Sequence, residues 1–297
     1  ELDIELISGY KKLIFSNYEL NERLFEHYAN NNFDGQKFET NKFNQDIFVL
    51  PSSLIYLTFG FWFNKDISFL PHSLTHLTFG YAFNQDVSTL PPLIHLTFGE
   101  KFNQDVSKLP PSLTHLTFNI WFNQDVSKLP SSLTHLIFGR HFNRDVSNLP
   151  SSLTHLTFGS YFNKDVSGLS QGITYLTFGR CFNEDVSKLP PFLTHLTFGY
   201  SFNQDVSKLP PFLTHLIFDF HFNQDVSKLP LFLTHLTFGY YFNQDVSNLP
   251  RGLTHLTFGN KFNQQYDIPQ NIKYLKLDSN NLYIINSLPN SVAELEL

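Results

Sequence analysis

The sequence contains no methionine and a single cysteine, Cys181, in 297 residues. One thiol excludes an internal disulfide framework and points to a reducing compartment. Charge is scarce too: Asp, Glu, Lys and Arg make up 15% of the chain, and the net charge is −6. No basic run occurs, so the electrostatic footprint of a nucleic-acid binder is missing. No apolar run reaches the length of a membrane span, and no secretory signal is recognisable. With no methionine even at position 1, the sequence is expected to be a processed product or part of a longer chain. No phosphate-cradling glycine loop is present, and no nucleophile, base and orienting group fall into a catalytic pattern. The expectation is a protein without catalytic residues, cofactor, nucleic-acid partner or membrane contact.

What is abundant is phenylalanine, at 34 residues, within a hydrophobic share of 41%. That is enough apolar material for a packed core, which argues against disorder. The phenylalanines are periodic. A Phe-Asn pair recurs at Phe43, Phe63, Phe83, Phe102, Phe122, Phe142, Phe162, Phe182, Phe202, Phe222, Phe242 and Phe262, in steps of twenty with one step of nineteen. A fixed period of this size is the signature of a solenoid and overrides the prior from length.

One unit shows the logic. Apolar residues fall at Leu113, Leu116, Phe118, Phe122, Val126 and Leu129. The first three have the leucine-rich-repeat spacing that forms a short strand in a parallel sheet. Leu116 and Phe118 are two apart and share the inward face, so His115 and Thr117 face outward. The glycine after each strand, as at Gly139 and Gly159, is read as permitting the exit turn through its backbone freedom. Asp-Val-Ser-Lys-Leu-Pro is too short for a helix, which predicts an irregular or 3₁₀ convex side. The constant asparagine, as in Asn103, Asn123 and Asn143, is expected to satisfy backbone groups of the turn and of the adjacent unit. The nineteen-residue step falls at residues 91–93, between strands, where a serine is missing, so register is expected to survive it. Thirteen such strands begin at Leu54 and end with the Val292 unit, giving a sheet roughly 60 Å long at one strand per 4.8 Å.

The termini differ. Residues 12–15 have the spacing of a first rung. Ser16 to Glu19 form a capping box, and Leu20, Leu24 and Tyr28 predict a helix over about 18–29. Segment 33–43 resembles a degenerate rung. Residues 1–40 are therefore expected to be a small helical cap over the first sheet edge. Residues 41–265 form the repeats, and residues 266–297 have spacing closer to a standard leucine-rich repeat. The last strand suggests an edge able to pair with another molecule.

Phe-Asn-Gln-Asp-Val, joined to Leu-Pro-Pro-Ser-Leu-Thr-His-Leu-Thr-Phe-Gly, resembles the FNIP repeat, a leucine-rich-repeat relative abundant in giant DNA viruses and social amoebae. The resemblance covers about residues 43–265, with Asp-Val where the family often has Pro-Ile. It implies a right-handed β-rich solenoid with one parallel sheet, and an interaction protein. Many members carry an F-box-like region before the repeats. That would make this chain the substrate-recognition part of a ubiquitin ligase receptor, contacting a ligase adaptor through a region outside or at its N-terminus. The alternative is a virion-associated or self-assembling structural component. The implied location is host cytoplasm or virion.

Three sets of residues are candidates for function. The outward strand position forms a concave ladder of His76, His95, His115, His135, His155, His195, His215, His235 and His255. No carboxylate or cysteine accompanies each histidine on that face, so no metal site is expected. Repulsion between adjacent protonated rings is expected to make the ladder pH-sensitive. The aspartates from Asp105 to Asp245 form a second ladder, for which local amides and the following lysines (Lys108, Lys128, Lys188, Lys208, Lys228) are the expected partners. The third set is where the units vary. Phe192, Phe212 and Phe232 replace a common serine, and Tyr200, Phe220 and Tyr240 follow the turn glycine. Grouped over three neighbouring units, these aromatics are expected to form one apolar patch for a protein partner. Cys181 stands where other units hold Trp, Ala, Lys, His, Tyr or Ser, which argues against a catalytic thiol.

Overall fold

A computed structural model describes residues 11–14, 44, 50–278, 282–286 and 288–297. Within them lies one sheet of fourteen strands in strict chain order. The strands are β1 (Lys12–Ile14), β2 (Tyr56–Thr58), β3 (His76–Thr78), β4 (His95–Thr97), β5 (His115–Thr117), β6 (His135–Ile137) and β7 (His155–Thr157). They continue as β8 (Tyr175–Thr177), β9 (His195–Thr197), β10 (His215–Ile217), β11 (His235–Thr237), β12 (His255–Phe258), β13 (Tyr274–Leu277) and β14 (Glu294–Glu296). Neighbouring strands pair in parallel and like positions align, as in His115↔His135 and Leu116↔Leu136. Most strands are three residues long because the outgoing turn begins directly after the threonine.

The core is built by repetition. All six apolar positions of the reference unit are buried, from Leu113 to Leu129. Inside one unit the rings of Phe118 and Phe122 stack at 3.6 Å between centroids. Across units Phe118 meets Phe138 at 5.8 Å and Phe122 meets Phe142 at 6.2 Å. No single unit can bury its apolar face, so the aromatic stack is a property of the array.

The convex side consists of separate turns and not a helical run. Three i→i−3 bonds recur per unit, for example Leu113 N–H to Pro110 O, Phe122 N–H to Asn119 O and Leu129 N–H to Val126 O. Proline suits such turns because its φ is already set. At the shortened unit the bond tightens, with Leu93 N–H reaching Pro91 O at 2.7 Å, and β4 still pairs in register with β3. The asparagine column bridges units: Asn143 N–H donates to Asn123 Oδ1 at 3.0 Å, and Asn123 N–H to Asn103 Oδ1 at 2.9 Å. Gln124 extends the same link, its Nε2 donating to Asn103 O at 3.0 Å.

The turn glycine is needed for a different reason than backbone freedom. None of the turn glycines from Gly80 to Gly259 lies in the left-handed region. Instead, a Cβ on Gly139 would stand 2.0 Å from Asn119 O, and one on Gly159 would stand 1.9 Å from Gly139 O. At these glycines the backbone of the preceding unit stands where a Cβ would go. Where the position is Asn119 or Asp219, Oδ1 accepts from the next N–H, that of Ile120 or Phe220.

At the first edge, β1 provides the rung expected at residues 12–15 and pairs directly with β2, Leu13 opposite Leu57. The degenerate rung expected over 33–43 lies outside the described residues. The helix expected over 18–29 lies outside the described residues. Between β13 and β14 the turns give way to a short helix, α1 (Leu282–Asn286), whose Ile284 is buried.

Candidate functional site

The concave face carries the histidine ladder. From His76 to His155, and from His195 to His255, neighbouring rings stack with centroids 4.0–4.4 Å apart. Tyr175 joins the two runs, at 4.4 Å from His155 and 4.1 Å from His195. Each ring is also tethered to its own strand. In eight of the nine, the Oγ1 of the preceding threonine lies 2.8–2.9 Å from Nδ1. His95 follows Ile94 and lacks this partner. Burial holds the imidazoles of His76, His95, His115, His155, His195, His215 and His235 below the ordinary histidine range, and repulsion from other ladder histidines adds to it. Repulsion is the cause expected from the sequence. It ranks second, because stacking and the floor of the face withdraw each ring from water.

The aspartate ladder is occupied locally. Asp125 Oδ1 accepts from Ser127 N–H at 3.0 Å and Oδ2 from Ser127 Oγ at 2.8 Å. The same two bonds recur in the units around it, as at Asp105 and Asp205. The amide bond first and the hydroxyl second hold Asp125 below the usual carboxylate range. The expected lysine partners do not close ion pairs with the column from Asp105 to Asp245; Lys108 and Lys128 act on Asp105 only at longer range. The serine two residues on reaches the carboxylate first, and the aspartate serves as a turn-former.

The aromatic residues form two columns, not one patch. Phe192, Phe212 and Phe232 stand three residues before their strands, and Tyr200, Phe220 and Tyr240 three residues after. They therefore flank the sheet at opposite ends of the strands. The second column is half-buried and tightly stacked, Tyr200–Phe220 at 4.5 Å and Phe220–Tyr240 at 4.9 Å. Edge contacts from His221 and Tyr241 and cations over the outer rings brace it, with Arg180 4.6 Å from Tyr200 and Lys261 5.6 Å from Tyr240.

The first column is open. Phe192, Phe212 and Phe232 are 57%, 48% and 62% exposed, and Leu231 beside the last is 80% exposed. Their rings are 6.1 and 6.2 Å apart. In most other units this position is a serine, and it can tie one unit to the next. Ser112, Ser132 and Ser152 each donate Oγ–H to a backbone carbonyl of the previous unit, at 2.6–2.7 Å. Phenylalanine cannot make that bond. Three consecutive units thus give up an inter-unit hydrogen bond and expose an aromatic ring in its place. Leu231 was not singled out by its sequence. The column of Pro111, Ser131, Ser151, Gln171, Pro191 and Pro211 to which it belongs would have marked it as the one aliphatic member.

The FNIP repeat pattern matches residues 43–82, 63–101, 102–141, 122–161, 142–181, 185–218, 222–261 and 262–297. Among solved structures, the chain is similar to CroV588 of a giant virus, described as a novel circular leucine-rich-repeat protein, at 34% identity with a TM-score of 0.42. That match covers 86% of this chain, which spans 58% of the length of CroV588. The internalin InlF from Listeria monocytogenes is 19% identical over 83% of this chain and 81% of its own, with a TM-score of 0.60. The functional domain of InlJ from the same organism is 21% identical over 76% of this chain and 54% of its own, with a TM-score of 0.56. The two Listeria proteins establish the leucine-rich-repeat-like fold. No curated protein matches the sequence. With the family pattern running from residue 43 to the last residue, the chain belongs to the FNIP repeat family.

Proposed function

We propose that this chain is a non-enzymatic protein–protein interaction scaffold whose partner seats on the column of Phe192, Phe212 and Phe232. The observation that carries this is the serine-to-phenylalanine exchange in three adjacent units, which trades a short hydrogen bond for exposed aromatic area. Exposed, clustered aromatics are the anchors of protein interfaces. Leucine-rich-repeat solenoids supply the extended, rigid surface such partners use. Tyr200, Phe220 and Tyr240 stiffen the opposite rim and support the neighbouring units.

The test is the variant Phe192→Ser/Phe212→Ser/Phe232→Ser, which installs the residue found in most other units. It is expected to fold as the wild type does and to lose the partner. Retention of the same partner at the same affinity would remove this column from the interface.

The family resemblance supports a finer reading, in which the chain recognises substrates for an F-box-type ubiquitin ligase. Its test is co-purification of a ligase adaptor with the full-length protein. The regularity of the units supports the alternative of a virion or self-assembling component, for which recovery in purified particles is the test. No helix among the described residues is long and apolar enough to cross a membrane.

A further inference from the structure

The histidine ladder has a chemistry that an interaction scaffold does not use. In each threonine–histidine pair the threonine oxygen has a second partner. Thr134 Oγ1 donates its proton to Thr114 O at 3.1 Å, Thr214 Oγ1 to Thr194 O at 3.1 Å, and Thr234 Oγ1 to Thr214 O at 3.1 Å. A hydroxyl has one proton. With that proton given to the carbonyl, the same oxygen accepts from the histidine, so Nδ1 is the protonated ring nitrogen of His135, His215 and His235. This leaves Nε2 with its lone pair free, and among the described residues no side chain or backbone group bonds to Nε2 of any ladder histidine.

A neutral imidazole whose far N–H is held by a fixed acceptor is the arrangement that orients metal-ligating histidines. Here it is repeated in consecutive rungs from His115 to His155 and from His195 to His255, with centroids 4.0–4.2 Å apart. A zinc ion with Zn–N bonds of about 2.0–2.1 Å needs its two nitrogens roughly 3.3 Å apart. Neighbouring rings must therefore tilt toward one another for two Nε2 atoms to share an ion. We propose that adjacent ladder histidines bind borderline divalent transition-metal ions through paired Nε2 atoms, with water completing the coordination. The two runs of consecutive tethered rings, His115 to His155 and His195 to His255, accommodate one ion and two ions respectively. No group of three or more such ligands able to hold a metal ion occurs among the described residues, so each ion would have two protein ligands and be weakly held. Magnesium is excluded by its preference for oxygen ligands.

The test is equilibrium dialysis of the full chain against Zn²⁺, with Mg²⁺ in parallel, at pH 7.5. Saturable zinc binding without magnesium binding is expected. His195→Gln/His215→Gln/His235→Gln/His255→Gln is expected to remove about two-thirds of the bound zinc, since it deletes the run that holds two of the three ions. Thr214→Val with Thr234→Val keeps the imidazoles but removes their orienting acceptors, and is expected to weaken zinc at those rungs roughly ten- to hundredfold. Absence of saturable zinc binding by the wild type overturns the proposal, as does unchanged stoichiometry in the quadruple variant. Nitrogen-15 NMR of the zinc-free protein is the independent check. Rings protonated at Nδ1 are expected, and rings protonated at Nε2 overturn the proposal because they leave no lone pair to donate.

Discussion

Replacing Asn123 separates the two roles a repeated asparagine can have. Its own N–H donates to Asn103 Oδ1, a bond that any residue but proline retains at the position. Its side chain contributes one bond, as Oδ1 accepts Asn143 N–H at 3.0 Å. Asn123→Ala therefore strands one partly buried amide, which costs about 1–3 kcal/mol. Asn123→Asp keeps an acceptor in place. The neighbours Asn103 and Asn143 are neutral, and Arg144 Nε already reaches Asn123 O at 2.9 Å, so one carboxylate meets no like charge in its column and a nearby guanidinium. Its cost is expected to stay below about 1 kcal/mol. The assay is hydrogen exchange at the Asn143 amide together with urea unfolding. Exchange in the alanine variant is expected to accelerate roughly five- to hundredfold, the range that corresponds to the stability loss, with little change in the aspartate variant. If aspartate is as damaging as alanine, the side-chain amide and not the carbonyl is what the column needs, and the reasoning is wrong.

Other outcomes follow from the same geometry. Gly139→Ala pushes a methyl into Asn119 O and is expected to destabilise by at least about 1–3 kcal/mol, measured by urea unfolding, whereas an exposed glycine such as Gly252, with its nearest atom 3.4 Å away, is expected to tolerate alanine. Phe142→Ala removes a fully buried ring and is expected to cost about 3–5 kcal/mol in the same assay. The ladder histidines with lowered folded-state pKa bind fewer protons when folded than when unfolded. Stability, followed by thermal melts in EDTA, is therefore expected to be fully present above the unfolded value near 6.5 and to decline as pH falls through the depressed folded values. Melts unchanged from pH 7 to 5 would show that the ladder carries no such coupling.

The scaffold was legible in the sequence because its signals repeat. The spacing of Leu113, Leu116 and Phe118 located every strand, and β2 to β14 are the thirteen strands counted from it. Residues 12–15 carried enough of the same spacing to reveal β1. What escaped was anything decided by the distance between units. Gly139 looks like a turn former until the carbonyl of Asn119 is placed against it. Asp-Val-Ser contains the local bond partner of each aspartate, but opposite charge drew attention to the lysine that follows. Thr-His is visible in nearly every unit, yet the proton chain appears only once the preceding rung supplies its carbonyl. The two aromatic sets share the same three units, and only the strand between them separates one rim from the other.

The central claim concerns the exposed phenylalanine column, and a paired capture experiment tests it most directly. Wild type and Phe192→Ser/Phe212→Ser/Phe232→Ser, matched for folding by melting, are used as bait in lysate from the cells that make the protein, and bound proteins are quantified by mass spectrometry. The serine variant is expected to be as stable or more so, each restored hydroxyl contributing about 0.5–1.5 kcal/mol, and to lose at least one protein that the wild type retains. Identical sets of captured proteins at identical yield would contradict the account.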